Sequence, residues 1–471
     1  MIYSYLFNIF THNLDPNNLK KTDLEVENKL STIRLKKNLT RKEKNRRFRG
    51  LNSVVSKIES FLKEKDRKII QHRSSDLHNF LVGKKFINVL DKPESHIYIP
   101  QNFTFEDVYY PKTVKILGKI CLSLMFYESG DINIDFSNCI KVDSATLFFL
   151  EILGRNYVQF MEKIEAKLTL LKIRPQVKII RSKENVVNTY LLASALTFIT
   201  EDELKETQIK TISGLETLTG SKSQKNYHEN KKGKTATQII RFVNDCIKEH
   251  NFELEIETRN RIEGVISEIL NNGEDHGIMN TWYVTANYLS TQHTENELIG
   301  ELNLAFFNFG LSIFEGFEET KEKNHEIYAD LQHSYNCICS KYPKHTFTKE
   351  NLFTLYALQD GISRLKYEQE SRGTGTMKFI KSFLELGDFE NKERNYMPKL
   401  SIISGSTHLI CDNKYKPFQE DTVNYLSLNS EKDLSILPAK SHLKALTTPF
   451  PGTLLSVKIF LNEEHFNQKI S

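Results

Sequence analysis

The 471-residue chain sets 64 Lys and Arg against 60 Asp and Glu, a net charge of +4, with 39% hydrophobic and 26% charged residues. That is the composition of a globular chain long enough for two or three domains. No segment approaches the ~20 consecutive apolar residues that a membrane-spanning helix needs. The six cysteines are scattered, with only Cys337 and Cys339 close together, which fits reduced thiols in a cytoplasmic protein better than a disulfide framework or a metal centre.

Residues 1–90 read as a basic, mostly helical region. Met1 to Phe10 is apolar and aromatic but lacks a basic start and a small-residue cleavage site, so it reads as a packed or frayed terminus and not as a signal peptide. Between Arg34 and Arg49 lie nine Lys or Arg residues and one acid, Glu43. Such a run could sit on nucleic-acid phosphates. It continues, however, into Leu51, Val54, Val55, Ile58, Phe61 and Leu62 at helical spacing, which favours a solvated basic helix leading into a packed amphipathic one.

Residues 91–220 read as a smaller α/β domain. Asp131 to Leu153 (D-I-N-I-D-F-S-N-C-I-K-V-D-S-A-T-L-F-F-L-E-I-L) is an alternating strand, a polar turn and an apolar helix with Asp143 or Ser144 as N-cap. This stretch resembles the signature of STAS-type domains, the fold of anti-anti-sigma factors, which switch by phosphorylation of a serine at the start of that helix. Aligned on it, Ala145 takes the phosphorylated position and Ser144 is its neighbour. The resemblance therefore implies a docking or scaffold module in place of a phosphoserine switch. Ser221 to Lys234 has almost no apolar content and reads as a polar linker.

From residue 235 onward the chemistry concentrates. Glu268, Asn272 and His276 stand at i, i+4 and i+8, on one face of a helix, with Ile262, Val265, Ile266, Ile269 and Leu270 as an apolar stripe that would hold it to a sheet. A carboxylate one turn from a carboxamide suits nucleotide hydrolysis: the first can take a proton from water, and the second can join the oxygens around Mg²⁺. Leu304 to Ile313 (L-A-F-F-N-F-G-L-S-I) is an apolar strand that breaks at Gly310. Ser371 to Ile380 (S-R-G-T-G-T-M-K-F-I) is a small-residue turn leading into a helix, where Gly373 and Gly375 would let backbone N–H groups reach phosphate oxygens. Phe450 to Leu461 is a Gly-Thr turn into an alternating strand.

In that order these segments resemble the GHKL ATP-binding domain shared by histidine kinases, gyrase B, heat-shock chaperones, MutL and anti-sigma-factor serine kinases. E-I-L-N-N-G-E-D-H corresponds to the N box, N-F-G-L-S to the first glycine box and R-G-T-G-T to the second, over roughly residues 235 to 462. The resemblance implies ATP and Mg²⁺ as cofactors. It makes Glu268 the residue that orients or deprotonates the attacking water, Asn272 the Mg²⁺ ligand and His276 a phosphate-reaching group. Asn308, Gly310, Ser312, Arg372, Gly373, Thr374, Gly375, Thr376 and Thr453 would line the nucleotide, with Thr453 beneath the adenine.

Two positions depart from the family. Asn308 replaces the Asp that accepts from the adenine amino group, although its amide oxygen can still accept. Ser312 replaces the second glycine of the first glycine box. Residues 314–370, highly charged at first and then apolar, fall where the family carries its ATP lid. The expected architecture is thus a helical N-terminal region, a STAS-like α/β domain, and a two-layer α/β sandwich of the Bergerat type with a mixed sheet and ATP between helices and lid. The expected activity is an ATPase switch acting on a protein partner or within a homodimer. A protein kinase of the anti-sigma-regulator type and a non-hydrolysing binding module are the alternatives. Against a histidine kinase, His72 and His78 lack a phosphoacceptor box.

Overall fold

A computed structural model describes residues 76–86, 91–126, 131–165, 176–194, 211–221, 231–248, 252–276, 281–294, 297–363, 375–386, 389–390, 395–462 and 465–468. The basic run 34–49, the amphipathic pattern that follows it, and His72 lie outside these residues. Residues 76–157 and 175–471 form one compact unit; residues 158–165 complete the helix that starts at Ser144.

The first elements are α1 (Asp76–Gly83), β1 (His96–Tyr98), α2 (Tyr110–Phe126), β2 (Ile132–Asp135), α3 (Ser144–Glu165), β3 (Val177–Ile180) and α4 (Asn185–Ala193). The three strands pair in parallel in the order β1-β2-β3. Ile97, Ile134 and Ile179 share the buried face of this sheet. Asp143 caps α3 by accepting the Thr146 N–H at 2.7 Å, and its other oxygen accepts the Phe105 N–H at 2.6 Å. Beyond the cap, Leu147, Phe148, Phe149, Leu150, Ile152 and Leu153 are all fully buried. A helix segment that is apolar all round must be covered by neighbouring layers.

One of those layers is a five-stranded sheet built from β4 (Thr211–Ser221), β5 (Thr281–Thr294), β6 (Glu297–Phe309), β7 (Lys399–Cys411) and β8 (Leu443–Leu461). Its order is β7-β8-β6-β5-β4, and every pairing is antiparallel. The chain is thus mixed α/β with both sheet types, but this sheet is not mixed. Its strands follow one another through hairpins or long returns, and no βαβ crossover forces a parallel pair. Strand β4 lies within residues 91–220 except for its last residue, Ser221, yet it pairs with β5, so the sheet recruits sequence from before the polar stretch. That stretch is itself helical from Lys231 onward, in α5 (Lys231–Lys248).

Helix α6 (Ile256–His276) carries the predicted stripe, with Ile262, Ile266, Ile269 and Leu270 buried at 2% exposure or less. It packs against α5, against β5 and β6, and against α10 (Gly375–Glu385), whose Met377, Ile380 and Phe383 join the same core. The segment expected as a partly helical lid is indeed largely helical over its described part, and some of its side chains are buried. Residues 313–357 form α7 (Ile313–Thr320), α8 (His325–Lys341) and α9 (Lys349–Ala357). Leu331, Ile338, Leu352, Phe353 and Leu355 are buried in the core shared with α6. Asn351 ties α9 to β7 through Thr407 Oγ1 at 3.0 Å and the Ser406 carbonyl at 3.2 Å. The apolar run 351–358, which sequence alone could place in a mobile cover, is a core helix with a capping box at Thr348 and Asn351.

Candidate nucleotide site

Side chains alternate across a strand, so residues in register share a face. On β6, Leu302, Leu304 and Phe306 face the helices α5, α6 and α10. The next residue on that face, Asn308, stands opposite Trp282 on β5 and Thr453 on β8, and Thr453 stands opposite Ser404 on β7. A row Trp282–Asn308–Thr453–Ser404 therefore crosses four strands on the side that α6 covers. Asn308 is 7% exposed, Trp282 2% and Ser404 0%, while Thr453 is half-buried. The Trp282 indole lies over Gly220, and its Nε1 is buried without a hydrogen-bond partner among the described residues.

Backbone geometry pulls β8 close to Asn308. Gly452 has φ +132°, and a Cβ there would lie 2.0 Å from the Asn308 carbonyl oxygen, so only glycine allows this approach. Gly310 is buried and donates its N–H to the Pro451 carbonyl at 3.4 Å. Asn308 and Gly310, from the first glycine box, and Thr453, from the closing Gly-Thr strand, thus come together at one end of the sheet.

Ser312 does not join them as a ligand-facing residue. It is 3% exposed and N-caps α7 in a capping box. Its Oγ accepts the Glu315 N–H at 3.1 Å, and its own N–H donates to Glu315 Oε2 at 2.7 Å. The Ser312-x-x-Glu315 spacing is a legible helix-start signal, and it explains the serine without a nucleotide. Glu315 also pairs with Lys84, just past α1, at 2.9 Å.

Glu350 of α9 completes this corner and had no place in the motifs. Its Oε1 accepts the Ser406 N–H at 2.8 Å and fills the space a Cβ on Gly405 would take, 2.1 Å away. Burial, with the Glu315 charge nearby, pushes its carboxyl above the usual carboxylate range. Ser404 was also missed. It reads in sequence as one of several small residues in S-G-S-T, and only strand pairing sets it beside Thr453.

Glu268, Asn272 and His276 lie on α6, as their spacing predicts, but their side chains are outside what is described. Arg372, Gly373 and Thr374 are also outside the described residues. Gly375 opens α10, and Thr376 is half-buried in its first turn. Among the described residues no cluster of three or more His, Cys, Asp or Glu side chains gathers as a metal site. None of the described helices is long and apolar enough to cross a membrane. His78 is 1% exposed, and burial holds its imidazole down to about 4, which removes it as an accessible phosphoacceptor. Ser144 is 6% exposed and accepts a hydrogen bond from Asn287 Nδ2 at 3.1 Å, and Ala145 is equally buried. Comparison with protein-family models, with curated proteins and with solved structures finds no match.

Proposed function

We propose that residues 235–462, with β4 as an added strand, form a GHKL-type domain that binds ATP with Mg²⁺ and works as a nucleotide-driven switch on a protein partner. The observation that carries the reading is the cross-strand pair Asn308–Thr453 on the sheet face covered by α6, the helix that bears Glu268 and Asn272. Two motifs chosen for base recognition meet there, under the helix chosen for phosphate and metal chemistry. The donor set suits a nucleobase: a carboxamide, a half-exposed hydroxyl and an indole N–H in one row. The five-stranded sheet with α5, α6 and α10 on one face supports a two-layer sandwich of the Bergerat kind, while its all-antiparallel pairing departs from the mixed sheet expected.

In this reading Asn308 accepts from or donates to the edge of the base, and the Thr453 hydroxyl stands beside it within reach of the same edge. Asn272 shares Mg²⁺ with the phosphates, and the metal neutralises phosphate charge. Glu268 takes the proton of the attacking water. The loop before α10 offers backbone N–H groups to the phosphates. The burial of Ser312 in a cap favours a second reading, binding without turnover, because that corner of the first glycine box has no free group for the nucleotide.

Calorimetry with Mg²⁺ and ATP, run beside phosphate release, separates these readings. The ATPase reading expects binding and release in the wild type, binding without release in Glu268→Ala, and loss of Mg²⁺-dependent binding in Asn272→Ala. Binding with no release in any protein selects the second reading, and labelled phosphate on protein selects a kinase. A wild type that binds no adenine nucleotide ends the proposal.

A further inference from the structure

The Ser404 hydroxyl is fully buried and has two hydrogen-bonding neighbours. It accepts the Ile313 N–H at 2.8 Å and lies 2.9 Å from Thr453 Oγ1. A serine hydroxyl carries one proton and two lone pairs. The Ile313 amide occupies a lone pair, so the proton needs an acceptor, and a buried hydroxyl proton left without one is costly. Thr453 Oγ1 is the acceptor in reach among the described residues. Ser404 is therefore the donor in this pair and Thr453 the acceptor. The Thr453 proton must turn away from Ser404, toward the half-exposed side of the row, where Asn308 also stands.

We propose that Ser404 is a positioning residue that fixes Thr453 as a hydrogen-bond donor to N1 or N7 of a purine base. The proposal rests on the nucleotide reading above and adds the polarity of the contact. A threonine hydroxyl alone can donate or accept, and so reads a base edge poorly. A threonine that has one lone pair engaged by Ser404 keeps its proton for another partner, and so favours a base with an acceptor nitrogen. Ile313 opens α7, so the first turn of that helix is part of what sets this polarity.

The test compares the affinities of ATP, 1-deaza-ATP and 7-deaza-ATP, in each of which one ring nitrogen is replaced by C–H. The wild type is expected to lose about tenfold with one of the two analogues, the size of one unmet hydrogen bond at a buried donor. In Ser404→Ala the Thr453 hydroxyl is free to rotate, and the two analogues should bind within about twofold of ATP. Ser404→Cys keeps the volume with a weaker donor and should show an intermediate penalty, which carries the test if the alanine variant fails to fold. Thr453→Ser keeps the hydroxyl and should retain the wild-type penalty. A wild type that binds ATP without a penalty for either analogue overturns the proposal alone, as does a full penalty surviving in both Ser404 variants. A wild type that binds none of the three removes the nucleotide reading and this proposal together.

Discussion

On the helical face of the five-stranded sheet, the row from Trp282 to Ser404 has polar groups at its centre and leaves Thr453 half-exposed. One residue along the same strands, on the outer face, Phe307 and Phe309 lie 5.8 and 5.7 Å from the ring of Phe149 on α3. Phe450 and Phe105 pack on the same ring at 5.9 and 6.1 Å. Polar groups on the outer face are closed off in a hydrogen-bonded network. Asn287 bridges Ser144 and Asn303, and Glu301 takes hydrogen bonds from Tyr190, Asn303 and Lys458. The same strands therefore present a sealed face to α3 and its neighbours and a face with usable polar groups to the helices α5, α6 and α10. A sheet can hold an open site on one side because the other side supplies cohesion.

The sharpest way to break this comparison is Phe149→Ala. Removing a fully buried aromatic ring with several ring neighbours is expected to cost about 3–5 kcal/mol, read from urea denaturation. Nucleotide affinity of the folded fraction should stay within about twofold of wild type. If affinity collapses while the protein remains folded, the two faces are not independent.

A second test uses pH. Burial pushes the Glu301 carboxyl up, but the Lys458 charge and the hydrogen bonds from Lys458, Asn303 and Tyr190 together hold it below its ordinary value of 4.5. A depressed folded-state value means that the stabilisation is present above about 4.5 and is lost as pH falls through the lower folded value. Wild type should therefore exceed Glu301→Gln in stability at neutral pH, with the gap closing in acid. A gap that does not change with pH would show that the carboxylate charge is not what the network holds.

The smallest effect is expected from Lys84→Met. The Lys84–Glu315 pair is partly exposed on both sides, 28% and 45%, and such pairs contribute about 0–1 kcal/mol. Denaturation midpoints that move by more than this would mean that the cap of α7 depends on Lys84.

Much of this arrangement could be read from local pattern. The 3.6-residue stripe of α6 and the strand–turn–helix unit ending in Asp143 and α3 lie within short windows, where periodicity and capping chemistry suffice. Asn308 and Thr453 were legible one at a time, from their motifs. What escaped depends on pairing between distant segments. Nothing in T-I-S-G-L-E-T-L marks β4 as the partner of β5. The pairing that sets Ser404 beside Thr453 and the contact of Glu350 with Gly405 also join remote parts of the chain. In the α7–α9 segment the helix-like run from Asn351 was legible locally, whereas its burial against β7 depends on residues more than fifty positions away.

The register between Asn308 and Thr453 also bears on how the molecule is made. Strands β5 and β6 are neighbours in sequence and can close as a hairpin soon after both are synthesised, since short loops close fast. Strand β8 reaches β6 only after α7 to α10 and β7 have been added. Until then β6 has an open edge at Asn308, a surface to which another strand could add. The row through Asn308 and Thr453 is thus completed only when β8 has been made, late in translation, and anything that binds the finished row can reward folding only from that step onward.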